Sequence, residues 1–357
     1  MTTIDCDAHV VESEQTWEFM DSGDRKYRPR LVAPDGEDGT QYWVVGDKIR
    51  GLARQVMTSE KFAALTRVGG RYMESPQEAR EMEDVSVRIR HMDALGIDVQ
   101  VLYPTIFIFQ VTDDPRAEMA ICRGWNRWLA DIWQQSNGRL RWTAVLPLLS
   151  MDESLRELRW CQEHGAVAVF MRPLEGNRLM HDPYFYPMFD EAARLNMAMG
   201  VHVASANPWF NDLLGQHHFG GGFWPLRLGT VGAFHSLICS EVPRQFPTLR
   251  WGWIEASAEW VPYTVKHLVR RFAQRGEELP EHPMKQWNCF VTVQVDDNVP
   301  YILDYAGEDN FVIGTDYGHT DPSTELNALQ ILRERTGITS AQYEKIVDEN
   351  GRALYGL

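Results

Sequence analysis

Four segments carry residue types that do chemistry together. They are Asp7 and His9 in Asp5-Cys6-Asp7-Ala8-His9, His202 in Gly-Val-His-Val, Glu255 in Trp-Ile-Glu-Ala, and Asp316 in Ile-Gly-Thr-Asp-Tyr-Gly-His. Each ends or follows an apolar run of strand character. Imidazoles and carboxylates on separate strand ends are how a barrel assembles one metal site from distant sequence. Asp7 and His9 are two residues apart, and residues i and i+2 of an extended chain point to one side. Two imidazoles and two carboxylates, from Asp7, His9, His202 and Asp316, suit one divalent ion with a position left open: zinc first, manganese next. Singly these residues say little. A strand-end His is more often a hydrogen-bonded core residue, Asp-x-His arises by chance, and Asp316 also reads as a turn or helix-cap residue. Their combination on the first, fifth and eighth strands is what points to a metal.

The elements that must position them alternate. Strand-like runs cover Thr3–Cys6, Val99–Tyr103, Trp142–Leu149, Ala166–Met171, Met197–Val203, Leu249–Ile254, Cys289–Val295 and Phe311–Thr315. Helical patterns lie between them: Arg116–Gln135, a segment capped by Ser150 or Asp152 and stopped at Gly165, Asp182–Leu195, Pro225–Phe246, Trp260–Arg275 and Val299–Ala306. Thr324–Thr336 and Ser340–Leu354 close the chain. Strand–helix alternation implies parallel strands with right-handed crossovers. Eight units imply an α/β fold of the closed (β/α)8 TIM-barrel type, in one domain. An open doubly wound sheet is disfavoured, because no Gly-x-Gly-x-x-Gly turn follows the first strand. Residues 13–79 are too long for a βα loop. Within them Tyr42–Val45, Gly46-Asp47 and Lys48–Arg50 predict a β-hairpin, in an insertion packed over the barrel mouth.

The net charge of −15 disfavours nucleic acid or an anionic membrane as partner. No apolar run reaches 18 residues, so no transmembrane helix is expected. Five scattered cysteines without a C-x-x-C pair argue against a disulfide framework or a structural zinc knot. With no signal-peptide pattern at the start, the expectation is a cytoplasmic protein acting on a small molecule. The 13 tryptophans read mostly as core and interface filler.

Longer strings extend the metal signature: Ile-Asp-Cys-Asp-Ala-His-Val-Val-Glu at the start, Val-Leu-Tyr-Pro-Thr (101–105), Phe-Met-Arg-Pro (170–173), Glu-Ala-Ser-Ala-Glu-Trp-Val-Pro (255–262) and Gly-Thr-Asp-Tyr-Gly-His-Thr-Asp (314–321). Through them nearly the whole chain resembles the amidohydrolase superfamily, in the branch of aminocarboxymuconate-semialdehyde decarboxylase and the resorcylate- and vanillate-type decarboxylases. The resemblance implies metal ligands at Asp7, His9, His202 and Asp316, and a homodimer or higher assembly. Many members begin with His-x-His; Asp7 resembles the variants with a carboxylate there, which makes manganese more plausible relative to zinc. Family decarboxylases usually carry a His at the end of strand six, where this chain has Glu255. That carboxylate could move a proton if burial raised its pKa, bind the metal or hold a substrate group. His235, on the preceding helix, is a candidate for the missing imidazole, with a helix-surface or core role as the alternative.

Several residues are candidates for substrate handling. Arg172 could fork a carboxylate or pair with a loop acid. Tyr103 could orient a substrate oxygen or pack in the wall. In the loop 206–224, Trp209, Phe210 and Trp224 could cover a flat apolar substrate, with His217 and His218 as weaker candidates. His319 could orient Asp316 or contact substrate, and Glu12 could support His9. The reading that follows is a non-oxidative decarboxylase of a small aromatic or conjugated acid, with Asp316 and Glu255 carrying the proton. The alternatives are a hydrolase using a metal-activated water on an amide, lactone or vinylogous C–C bond, and a non-catalytic binding barrel.

Overall fold

Eight parallel strands form one sheet in the order in which they occur along the chain, in a computed structural model that describes residues 2–34, 36, 39–215, 222–335 and 337–357. They are β1 (Ile4–His9), β2 (Val99–Tyr103), β3 (Leu140–Ala144), β4 (Ala166–Met171), β5 (Ala198–His202), β6 (Trp251–Ile254), β7 (Cys289–Val293) and β8 (Phe311–Ile313). Neighbours in sequence are neighbours in space, and helices cross over between them, so the fold is a (β/α)8 barrel. The seam between β8 and β1 is joined just past the end of β8. There the Asp316 N–H donates to the Asp7 carbonyl at 2.8 Å and the His9 N–H to the Tyr317 carbonyl at 2.7 Å. Beneath this seam the buried Asp5 carboxylate accepts from the Thr315 N–H and hydroxyl at 2.9 and 2.6 Å, and from Gln100 Nε2 at 2.8 Å. One acid thus ties together the first, second and last strands.

Strands β2 and β4 coincide with their apolar runs. The run predicted over Trp142–Leu149 stops at Ala144 for a visible reason: the Asn126 side chain takes both the N–H and the carbonyl of Val145, at 3.1 and 2.9 Å, where a ladder partner would be. The helix predicted over Pro225–Phe246 is three pieces, a wide turn at Phe223–Leu228, a helix at Gly229–Ile238 and a short one at Val242–Gln245. Pro243 has no N–H to continue a ladder and instead opens the last piece. The predicted Thr324–Thr336 helix begins only at Ala328, because Thr324 is recruited to the site described below.

The stretch between β1 and β2 contains the predicted hairpin. Thr40–Val45 pairs with Lys48–Ile49 across Gly46-Asp47, in the register Val44↔Ile49, and Gly46 has the positive φ that such a turn needs. Arg30–Val32 and Arg54–Gln55 extend the small sheet. All five cysteines are free. Trp17, Trp125, Trp142, Trp251 and Trp253 are fully buried, as core filler should be. Among the described residues no helix is long and apolar enough to cross a membrane.

Candidate metal centre

The alternation that aims Asp7 and His9 inward is set by a bulge. Between Asp5 and Ala8, β1 advances three residues while β2 advances two, from Gln100 to Leu102. The extra residue re-aims the end of β1. Asp7, His9 and His202 are buried, and Asp7 Oδ1 lies 3.5 Å from His9 Nε2 and 3.4 Å from His202 Nε2. The two Nε2 atoms face each other at 3.0 Å. Asp316 reaches the same point from past β8, its Oδ1 3.5 Å from His9 Nε2. Glu255 arrives from past β6, Oε2 3.2 Å from His202 Nε2. Both acids sit in the left-handed backbone region, φ +69° at Glu255 and +53° at Asp316, which is uncommon for residues other than glycine. The backbone is held there. Thr292 Oγ1 accepts the Glu255 N–H at 2.7 Å, and Arg227 and Gln294 donate to its carbonyl. Thr324 Oγ1 donates to Asp316 Oδ2 at 2.6 Å.

These residues fit a divalent cation. Asp7 Oδ1 and Asp316 Oδ1 are buried and have no hydrogen-bond partner, a costly state for carboxylate oxygens unless a cation serves them. His9 Nδ1 meets the Pro104 carbonyl at 3.1 Å. A carbonyl only accepts, so the proton is on Nδ1 and Nε2 presents a lone pair, the usual arrangement of a ligating imidazole. Burial, then the charges of Asp316, Asp321 and Asp7, push the Glu255 carboxyl well above the ordinary range. Burial, then Asp321 and Asp7, do the same to Asp316. Three carboxylates in one dry cluster repel each other, and a cation relieves that repulsion.

Above the cluster lies a cavity of about 230 Å³, whose lining includes Glu255, His319 and Asp321 from the barrel and Trp43, Arg54 and Arg80 from the segment between β1 and β2. His319 stacks on His9 with ring centroids 3.7 Å apart. Its Nδ1 is 2.8 Å from Asp316 Oδ1 and its Nε2 is 2.9 Å from Thr105 Oγ1. Two guanidiniums share the lining with the acids Glu12, Glu255 and Asp321. Arg54 pairs with Glu81, and Arg80 donates to the Ser75 carbonyl at 2.7 Å.

The structure therefore brings Asp7, His9, His202, Glu255, Asp316 and His319 together. Other sequence candidates lie elsewhere. Arg172 is buried and spends its guanidinium on Glu175, at 2.7–3.0 Å, and on the Phe107 carbonyl; it is the ion pair, with no group left for a substrate. Tyr103 sits below the histidines inside the barrel and hydrogen-bonds the Tyr355 hydroxyl at 2.8 Å, which is wall packing. His235 pairs with His267 of the helix Trp260–Ala273 at 2.9 Å and does not join the cluster. Trp209 and Trp224 are 70% and 56% exposed, Phe210 is half-buried, and none of the three lines the cavity. His217 and His218 lie outside the described residues. Glu12 does not touch His9; it is buried and anchors the loop after β2 through the Thr105 and Ile106 N–H groups and the Trp125 indole. Sequence reasoning missed Arg54, Arg80, Thr105, Asp321 and Thr324. Thr105 and Asp321 had a signal, since each ends a string that carries the family resemblance, Val-Leu-Tyr-Pro-Thr and Gly-Thr-Asp-Tyr-Gly-His-Thr-Asp.

Residues 4–357 match the family described as amidohydrolase. A 2-amino-3-carboxymuconate-6-semialdehyde decarboxylase of Dictyostelium discoideum is 22% identical over 286 residues, 77% of each chain. Among solved structures, an amidohydrolase of Mycobacterium avium subsp. paratuberculosis K-10 superposes with a TM-score of 0.78 at 20% identity, covering 100% of this chain and 98% of that one. A dihydroxybenzoic acid decarboxylase of Polaromonas sp. JS666, solved with bound manganese and the inhibitor 2-nitroresorcinol, gives 0.67 at 19% identity, covering 100% and 97%.

Proposed function

The chain belongs to the amidohydrolase family, and from that premise we propose that it is a metal-dependent carboxy-lyase acting on a small aromatic or conjugated carboxylic acid. The decarboxylase names of two of its relatives support this reading. The observation that carries it is the position of Glu255, a buried acid that touches His202 and also lines the cavity.

Asp7, His9, His202 and Asp316 would hold the ion. When bound, a divalent ion supplies a Lewis acid for the substrate carboxylate and an adjacent oxygen. Asp7, a carboxylate where many members of the family carry His, shifts the expected preference from zinc toward the harder manganese. Arg80, whose guanidinium donates to the Ser75 and Met57 carbonyls rather than to an acid, supplies the positive charge that draws an anion to the cavity despite the acidic chain. Glu255, whose carboxyl burial and the charges of Asp316, Asp321 and Asp7 hold well above the ordinary range, is the proton donor to the ring carbon bearing the carboxylate. As that C–H bond forms, the C–C bond to the carboxylate breaks and carbon dioxide leaves; water then returns the proton to Glu255. In this general-acid role it stands where the resemblance to the family implies an imidazole, at the end of strand six.

The test is a screen of the metal-loaded protein against hydroxybenzoates and muconate-like acids for carbon dioxide release, beside amides and lactones for hydrolysis. Carbon dioxide release that falls about 100-fold or more in Glu255→Gln, with the metal retained, is the expected result. Hydrolysis of an amide or lactone without carbon dioxide would replace this reading with the hydrolase.

A further inference from the structure

Resting on the metal centre just described, we propose that His319 is itself a ligand of the ion, entering through Nδ1 as a third imidazole beside His9 and His202. The position of its proton comes first. Thr105 Oγ1 has one hydrogen and donates it to the Val10 carbonyl at 2.8 Å. In its 2.9 Å contact with His319 Nε2 the imidazole must therefore be the donor. The His319 proton is on Nε2, and Nδ1 is a bare lone pair.

That lone pair is 2.8 Å from Asp316 Oδ1, yet neither atom has a hydrogen-bond partner. An imidazolium donating to Asp316 would meet it at a hydrogen-bonding angle, and this pair does not. Two buried acceptors so close repel unless both face a third, positive body. His319 is 8% exposed and Asp316 is 1% exposed, so solvent does not serve that purpose. His9 repeats the pattern, with its proton turned away to Pro104 and its Nε2 facing the same Asp316 oxygen at 3.5 Å. The two rings lie nearly parallel, 24° apart, and present their lone pairs side by side. His9, Glu255, Asp316 and His319 each offer a donor atom within 4.8 Å of the others.

The local chain is built for this return. Gly318, at φ +100°, folds the segment so that the residue three after Asp316 comes back to it; a β-carbon there would lie 3.1 Å from the His9 carbonyl oxygen. Thr105 fixes the ring from behind, as a partner on the far nitrogen does for a ligating histidine. His319 lines the cavity and Asp7, His9 and His202 do not. It is thus the imidazole ligand on the substrate side of the ion.

The experiment uses the full chain, stripped of metal and reloaded with Mn²⁺. Pulsed EPR counts the imidazole nitrogens coupled to the ion, and calorimetry gives the affinity and stoichiometry. Wild type is expected to show three coupled imidazoles, and His319→Ala two, with Mn²⁺ bound about 10- to 100-fold more weakly at one ion per chain. His319→Gln carries the same expectation should the alanine variant fail to fold. An equal count of couplings in wild type and variant, with one ion bound, would overturn the His319 assignment and leave the proposed function standing. Absence of any bound ion in wild type would overturn both.

Discussion

Gly314 and Asp7 meet without space for a methyl group: a β-carbon on Gly314 would fall 2.2 Å from the Asp7 β-carbon. The end of β8 approaches β1 this closely because the seam hydrogen bonds draw Asp316 against Asp7. The absence of a side chain at 314 is thus a condition for Asp7 and Asp316 to share one point. Gly314→Ala must push the strands apart, an overpacking that costs about 1–3 kcal/mol. The variant is expected to melt lower and to lose its metal. Elemental analysis of folded protein reads the second effect, and a full metal complement would show that the site tolerates a wider seam.

Thr324 is the partner that orients Asp316. Thr324→Val keeps the shape and removes the hydroxyl, leaving Asp316 Oδ2 without its 2.6 Å donor. Metal affinity should fall about 10-fold with little change in melting temperature. Titration calorimetry on the apo protein measures it, and unchanged affinity would show that the hydroxyl does not support the ligand.

Glu118 tests the pH dependence away from the site. Burial, against the pull of the Leu149 N–H and Arg172, pushes its carboxyl up to about 7 from an ordinary 4.5. The folded state then binds its proton more tightly than the unfolded state does. That contribution is fully present below about pH 4.5 and is lost as pH rises to about 7. Glu118→Gln keeps an acceptor for Leu149 and removes the ionisation. Relative to wild type it is expected to gain stability as pH rises from 5 to 8, by about 1.4 kcal/mol for each pH unit between the unfolded and folded pKa. Urea unfolding of both proteins across that range decides it; parallel curves would mean that Glu118 does not titrate there.

His235 offers the opposite kind of test. It pairs with His267 on the outer helices and lies apart from the cluster. His235→Ala should keep metal content and turnover within about twofold, as surface changes usually do. A large loss of turnover with normal folding would make it a catalytic candidate again.

What could be read in advance followed the reach of each signal. Val99–Tyr103, Ala166–Met171 and the helix Val299–Ala306 coincide with their predicted bounds, because apolar periodicity and caps are written within a dozen residues. The residues Asp7, His9, His202, Glu255 and Asp316 were visible because each follows such a run. Arg172 was equally plausible by that rule. Whether a strand-end arginine faces a substrate or a Glu three residues on is a matter of rotamer and loop path, which no spacing encodes. Arg54 and Arg80 gave no signal: the insertion was expected over the mouth, but nothing local says which of its side chains face the cavity.

The sequence by itself determined the barrel, the order of its strands and the residue types at their ends, since hydrophobic period and chain direction are local properties. Only the tertiary structure decided which of those side chains share a point. Closure of β8 on β1, the bulge in β1 and the left-handed turns at Glu255 and Asp316 set those distances. Each arises from packing between segments far apart in the chain. A metal site depends on ångström distances across that span, and sequence order carries no such information.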